Sequence, residues 1–139
     1  MGSSMTPIQE RKLVEFVEGK LGSPFVWGGN DCNTFSIEWV DLLTGSNHLQ
    51  EIKGKYSTKR EAVDYYAEHT EFTETVLAGW KEIPASTLSM GDIFIITNGD
   101  FVEGHVCVGR TVASIHRKQG GVLLPKAKVD SATAWRWKG

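Results

Sequence analysis

A glycine-rich turn that runs straight into a cysteine constrains this chain more than any other stretch. It reads Gly22-Ser-Pro-Phe-Val-Trp-Gly-Gly-Asn-Asp-Cys-Asn-Thr-Phe-Ser36. With Asp31 as N-cap and Cys32 as the first helical residue, Cys32, Phe35, Ser36, Trp39, Val40 and Leu43 share one helical face. That face has to pack, so the thiol is carried to the buried end of a core helix. Unpaired N–H groups and the helix dipole favour an anion there. The spacing therefore predicts a lowered thiol pKa and a nucleophilic thiolate, with donors waiting for an oxyanion. A lone cysteine packing like an alanine is the competing reading, and the rest of the chain has to decide between them.

The elements around this stretch follow from capping and period. Thr6 as N-cap, Pro7 at N1 and Gln9 at N3 make a capping box. It opens a helix with the stripe Leu13, Val14, Val17 and Leu21, closed by Gly22. The Cys32 helix runs to about Leu43. Residues 48–57 carry no period. Thr58-Lys-Arg-Glu61 is a second capping box, starting a helix to about His69 with Ala62, Val63, Tyr66 and Ala67 inward. His48 and His69 are expected in solvent.

From Trp80 the pattern turns to short β-branched and apolar runs. These are Trp80–Ile83, Ile93–Ile96, His105–Val108, Thr111–His116, Val122–Leu124 and Ala132–Trp137. Asn98-Gly-Asp100, Gly109, Gly120-Gly121 and Pro125 separate them. An antiparallel meander of about five strands is expected. Helices first and a sheet afterwards imply an α+β domain with the Cys32 helix packed on the sheet. Met1-Gly-Ser-Ser reads as an expression-tag remnant, and residues 5–139 as one domain.

Composition narrows the partners. Fifteen Lys and Arg against 17 Asp and Glu give a formal net charge of −2, with no basic block, so a nucleic-acid backbone is not the expected ligand. No apolar run approaches the ~20 residues of a membrane span. No signal segment precedes the first helix, so synthesis in the cytoplasm is expected. Two cysteines, Cys32 and Cys107, do not make a disulfide framework.

A second half-site lies in the strands. His105 is read as the first residue of its strand, with Cys107 on the same face. A histidine there, packed against the helix start, would form a thiol–imidazole pair with Cys32. His116, one strand later, would lie beside His105 and fix its tautomer. Each histidine alone is as readily structural. Cys107 lies mid-strand with no helix terminus behind it. Asp31, Cys32, His105, Cys107 and His116 are all metal-ligand types, but His-x-Cys is not a usual zinc spacing and no Cys-x-x-Cys occurs.

Taken together, Gly22-Ser-Pro-Phe-Val-Trp-Gly-Gly, Asp31-Cys32, Met90-Gly-Asp92-Ile and Gly104-His105-Val resemble the NlpC/P60 family of papain-like cysteine hydrolases. The likeness is to the short forms of phage and prophage tail modules, extends to Thr133-Ala-Trp-Arg, and covers roughly residues 6 to 137. It implies Cys32 as nucleophile, His105 as base, His116 as third polar residue, no cofactor, and amide bonds of peptidoglycan stem peptides as substrate. Phe25, Trp27, Asp31 and Asn33 would line the oxyanion site and cleft. Three features depart from the family pattern: Phe25 stands where tyrosine is usual, Asn33 where serine is usual, and only Asn30 separates Gly29 from Asp31.

The sequence thus leads to a cysteine hydrolase of cell-wall peptides, acting from a phage tail at the bacterial cell wall, with possible tail-protein partners. Its rival is a tail assembly protein on the same fold with a vestigial site. An acyltransferase would use the same pair and differ only in the acceptor.

Overall fold

The computed structural model describes residues 5–99, 101–126 and 132–139. Met1-Gly-Ser-Ser and Asp100 of the expected Asn98-Gly-Asp100 turn lie outside the described residues. The elements are α1 (Pro7–Lys20), α2 (Cys32–Thr44), α3 (Leu49–Ile52), α4 (Lys59–Glu68) and α5 (Phe72–Val76). The strands are β1 (Trp80–Ile83), β2 (Ile93–Asn98), β3 (Phe101–Val108), β4 (Thr111–His116), β5 (Gly120–Pro125) and β6 (Ala132–Trp137). The α+β reading holds, with helices first and an antiparallel sheet after them. The sheet has six strands rather than about five, in the order β1-β6-β2-β3-β4-β5. It is not a simple meander, because β6 returns to lie between β1 and β2.

Besides its ladders with β1 and β2, a buried charge pair ties β6 to the start of β2. Asp92 precedes β2 and is 2% exposed. It accepts from Arg136 of β6, Nε at 3.0 Å and Nη2 at 2.7 Å. The same Nη2 also donates to the Thr87 carbonyl at 2.8 Å and reaches Ser89 Oγ at 3.1 Å. A guanidinium that donates to the carboxylate from both Nε and Nη2 offsets the cost of burying that charge. In the sequence Asp92 stands out only as part of the Met90-Gly-Asp92-Ile motif.

The core lies between α2 and the sheet, where α2 packs on β3 and β4. Phe35, Trp39 and Val40 of α2 meet Val106, Ala113 and Ile115 in one buried cluster. Each fully buried large side chain contributes roughly 2–3 kcal/mol. Gly104 permits the close approach, because a Cβ there would meet Ser36 Oγ of α2. The α1 capping box forms as expected, with Thr6 and Gln9 bonding reciprocally. Its buried stripe is Leu13, Phe16 and Val17, whereas Val14 and Leu21 are exposed. On α4 the box is half formed: Thr58 Oγ1 accepts from Glu61 N, but the Glu61 carboxylate turns out to Ser57. Ala62 is buried there, Tyr65 and Tyr66 are half-buried, and Ala67 is exposed.

The turn after α1 is fixed to the sheet edge at β5. Gly22 N donates to the Gly121 carbonyl at 2.9 Å, and Gly121 N donates to the Ser23 carbonyl at 3.0 Å. This pairing covers the exposed edge and brings the 22–31 turn beside the turn between β4 and β5, where Arg117 lies over the Trp27 ring. A Cβ on Gly121 would collide with the Lys20 carbonyl. Gly121→Ala should therefore lower stability by roughly 1–3 kcal/mol, read as a thermal midpoint several degrees lower. A midpoint within about a degree of wild type would show that this docking contributes nothing.

Candidate active site

Cys32 opens α2, and Asp31 holds that opening in place. Asp31 is fully buried. Its Oδ1 accepts from the N–H groups of Asn33 and Thr34, both at 2.9 Å. Its Oδ2 accepts from Gly28 N–H and from the Tyr56 hydroxyl, both at 2.8 Å. Tyr56 thus donates to the carboxylate and accepts from the Tyr66 hydroxyl, 2.8 Å away. Burial pushes the Tyr56 hydroxyl's pKa up, and the neighbouring Tyr66 and Asp31 add to the shift. The proton therefore stays on Tyr56. Gly28 lies at φ 75°, and a Cβ there would strike the Tyr56 carbonyl. That position accepts only glycine. Asn30 completes the turn, its Nδ2 donating to the Pro24 carbonyl at 2.7 Å.

His105 comes from β3. It is not the first residue of its strand, as expected, because β3 begins at Phe101. The β3–β4 ladder runs from Val108↔Thr111 to Val106↔Ala113, and both histidines lie beyond it. Ser114 Oγ donates to the Gly104 carbonyl at 2.9 Å. His105 is buried, whereas His116 ends β4 exposed.

Cys32, His105 and His116 line one cavity of about 490 Å³, together with Phe25, Trp27 and Glu103. Trp27 packs edge-on against Phe25 at 4.7 Å and Phe101 at 5.7 Å, forming an aromatic wall. Of the residues expected at the site, the structure brings Phe25, Trp27, Cys32, His105 and His116 to this cavity. Asp31 and Asn33 are not on it. The Asn33 side chain donates to the Val102 carbonyl at 2.9 Å and faces a separate apolar cavity beside Val40 and Ile93. Among the described residues no hydrogen bond joins Cys32 to His105, or His105 to His116. The His105 Nδ1 is buried without a partner, although the residue is only 5% exposed.

The thiol is not the depressed one that a helix start predicts. Burial pushes Cys32 up to about 12, and the negative charges of Asp31 and Glu103 add to the rise. Backbone N–H groups of Gly104 and Asn33 pull the other way and lose. Burial also lowers His105 below its ordinary 6.5, against the opposing pull of Glu103, and the charge of His116 adds to the lowering. The resting pair is a neutral thiol and a neutral imidazole.

Residues away from the cavity have other work. Cys107 is fully buried on β3, with its thiol directed to the Gly109 carbonyl at 3.5 Å, and both cysteines are free. His69 stacks on Tyr65 at 4.1 Å, so it is not simply solvated. Among the described residues no three His, Cys, Asp or Glu side chains converge as a metal site. No helix among them is long and apolar enough to cross a membrane. Sequence reasoning missed Tyr56, Glu103 and Ser114. The β alternation around His105 could have flagged Glu103, but no local signal pointed to Tyr56.

A family model described as a domain of unknown function, DUF6950, matches residues 5–137. No curated protein matches the chain.

Two measurements follow from this geometry. In a Cys107→Ala background, alkylation of Cys32 by iodoacetamide should accelerate about tenfold per pH unit between roughly pH 7 and 9, the behaviour of a thiol far below its midpoint. A rate already level in that range would mean a depressed pKa and a different electrostatic environment. Tyr56→Phe removes one of four donors to a buried carboxylate and should reduce unfolding free energy by about 1.5–3 kcal/mol. Denaturation with an unchanged midpoint would contradict the clamp.

Proposed function

The chain belongs to the DUF6950 family, and from its sequence motifs and its cavity we propose that it is a cysteine hydrolase with the papain-like NlpC/P60 fold, acting on amide bonds of peptidoglycan stem peptides. One observation carries the reading: a helix-start cysteine and a strand-borne histidine line the same cavity, beneath an aromatic wall and beside a second histidine. The order of the matching motifs along the chain supports it.

The chemistry starts from neutral partners. His105, held neutral by its surroundings, accepts the Cys32 proton as sulfur attacks the substrate carbonyl carbon. The C–S bond forms and the carbonyl π pair moves to oxygen. The Cys32 backbone N–H has no partner among the described residues and is the donor assigned to that oxyanion. The Asn33 amide, committed to Val102, is not. The imidazolium then protonates the leaving nitrogen, the C–N bond breaks, and a thioester remains. His105 then deprotonates a water that attacks the thioester carbonyl; the C–S bond breaks, the acid leaves, and the imidazolium returns the proton to sulfur. His116 stands at the mouth as the third polar residue, acting through space on His105. A route through neutral partners avoids separating charge in the resting cavity, where Asp31 and Glu103 oppose a thiolate.

The second reading, an assembly protein of a phage tail with a vestigial site, is favoured by a specific set of features. The thiol is raised, it makes no hydrogen bond to His105, and Phe25 supplies no hydroxyl. The virion location and tail partners belong to either reading.

Cys32→Ala should abolish release of muropeptides from purified peptidoglycan, followed by mass spectrometry, with circular dichroism unchanged. Undiminished release would remove Cys32 from the mechanism, and no release by the wild type would leave the assembly reading. Because His105 must be neutral and its midpoint lies below 6.5, the rate should hold as pH falls to that value and decline only below it. A rate already halved well above 6.5 would show that another group sets the acid limb.

A further inference from the structure

We infer that the mouth of the Cys32 cavity is a subsite for a carboxylate on the substrate, formed by Lys59, Arg117 and Lys118. The inference rests on the reading of the cavity as a peptide site and adds what kind of peptide it takes. The formal charge of the whole chain is −2, yet these three cations line a single cavity whose one carboxylate among the described residues is Glu103. Local charge is thus opposite in sign to the molecule's. Lys59 comes from the first turn of α4, and Arg117 and Lys118 from the turn between β4 and β5, so separate segments place them together. None of the three forms an ion pair with a described residue, whereas Lys20, Arg60 and Arg136 do.

Arg117 is not merely a mobile surface charge. Its guanidinium lies 5.6 Å from the centre of the Trp27 ring, close enough for a cation–π contact that orients the planar fork. A guanidinium held this way presents paired donors to a carboxylate. A peptide with its carbonyl near Cys32, its apolar part on Trp27 and Phe101 and a carboxylate at the mouth fits this lining. Glu103, below the cations, disfavours a second anionic group near the sulfur. A singly charged carboxylate therefore fits better than a phosphate.

The test is binding, which does not require turnover. The wild-type protein is titrated with N-acetylalanine and, separately, with N-acetylalanine amide, by NMR of the Trp27 indole and Arg117 resonances. The carboxylate should bind about fivefold more tightly than the amide, the effect of roughly one partly exposed ion pair. The preference should vanish in Arg117→Gln/Lys118→Gln and weaken in high salt. Equal affinity for the two probes, a preference that survives the double variant, or tighter binding of inorganic phosphate would each overturn the subsite. A carboxylate preference in a protein that releases no muropeptides would keep the subsite and remove the hydrolase, while turnover without the preference would do the reverse.

Discussion

The Asp31 carboxylate is the interaction on which the rest of the structure depends. It forms no ion pair among the described residues, and four donors converge on its two oxygens. An unsatisfied carboxylate in that position would cost several kcal/mol and would take up a proton instead. The four donors come from three places: the start of α2, the glycine turn and the segment before α4. One side chain therefore fixes the direction of α2 and the path of residues 22–31. It also fixes the position of Tyr56, against which Trp27 packs at 6.5 Å. The cavity wall is a consequence of the clamp.

Burial is the first reason that Cys32 is not the thiolate that helix geometry alone implies, and the Asp31 charge is the second. A helix start offers a limited set of free N–H groups. Asp31 accepts from those of Asn33 and Thr34 and adds its own negative potential beside the sulfur. The N–H groups of Gly104 and Asn33 still favour a thiolate, but they do not offset the loss of solvent. The packing that makes α2 a core helix also keeps its thiol protonated. Any reactivity must come from a base that takes the proton during attack, and burial keeps His105 in the form able to do so.

Much of this was legible along the chain because it is local. The Thr6 and Asp31 caps, the apolar face of α2 and the change from helix to strand at Trp80 all depend on neighbours within a few residues. The return of β6 was not legible, because it depends on pairing with β1 and β2 and on Arg136 finding Asp92 44 residues away. Nor was Tyr56, whose segment has no period and acquires its meaning only by reaching back to Asp31. The exposure of Val14 and Leu21 has a similar cause. Helical spacing identifies a stripe, but its centre is set by the partner surface, and the contact with α2 favours Phe16, which stacks on Phe35 at 5.0 Å. At the site, the residues drawn to the cavity were those flanking the cysteine and on the strand face. Asp31 and Asn33, adjacent to the cysteine in sequence, were turned inward by the cap and by α2.

The pairing of β3 and β4 starts from a single turn. Val108 pairs with Thr111, so β3 and β4 are joined by Gly109 and Arg110 alone. Gly109 lies at φ 68°, the conformation a two-residue hairpin requires at its first turn position. A turn that tight sets the register of the pairs next to it, out to Val106 and Ala113. His105 and His116 lie beyond those pairs, and both line the Cys32 cavity. They reach it from different depths: His105 is buried, and His116 ends β4 exposed. There His116 adjoins Arg117 and Lys118 on the same cavity, and the strand end serves the entrance of the cavity more than its floor.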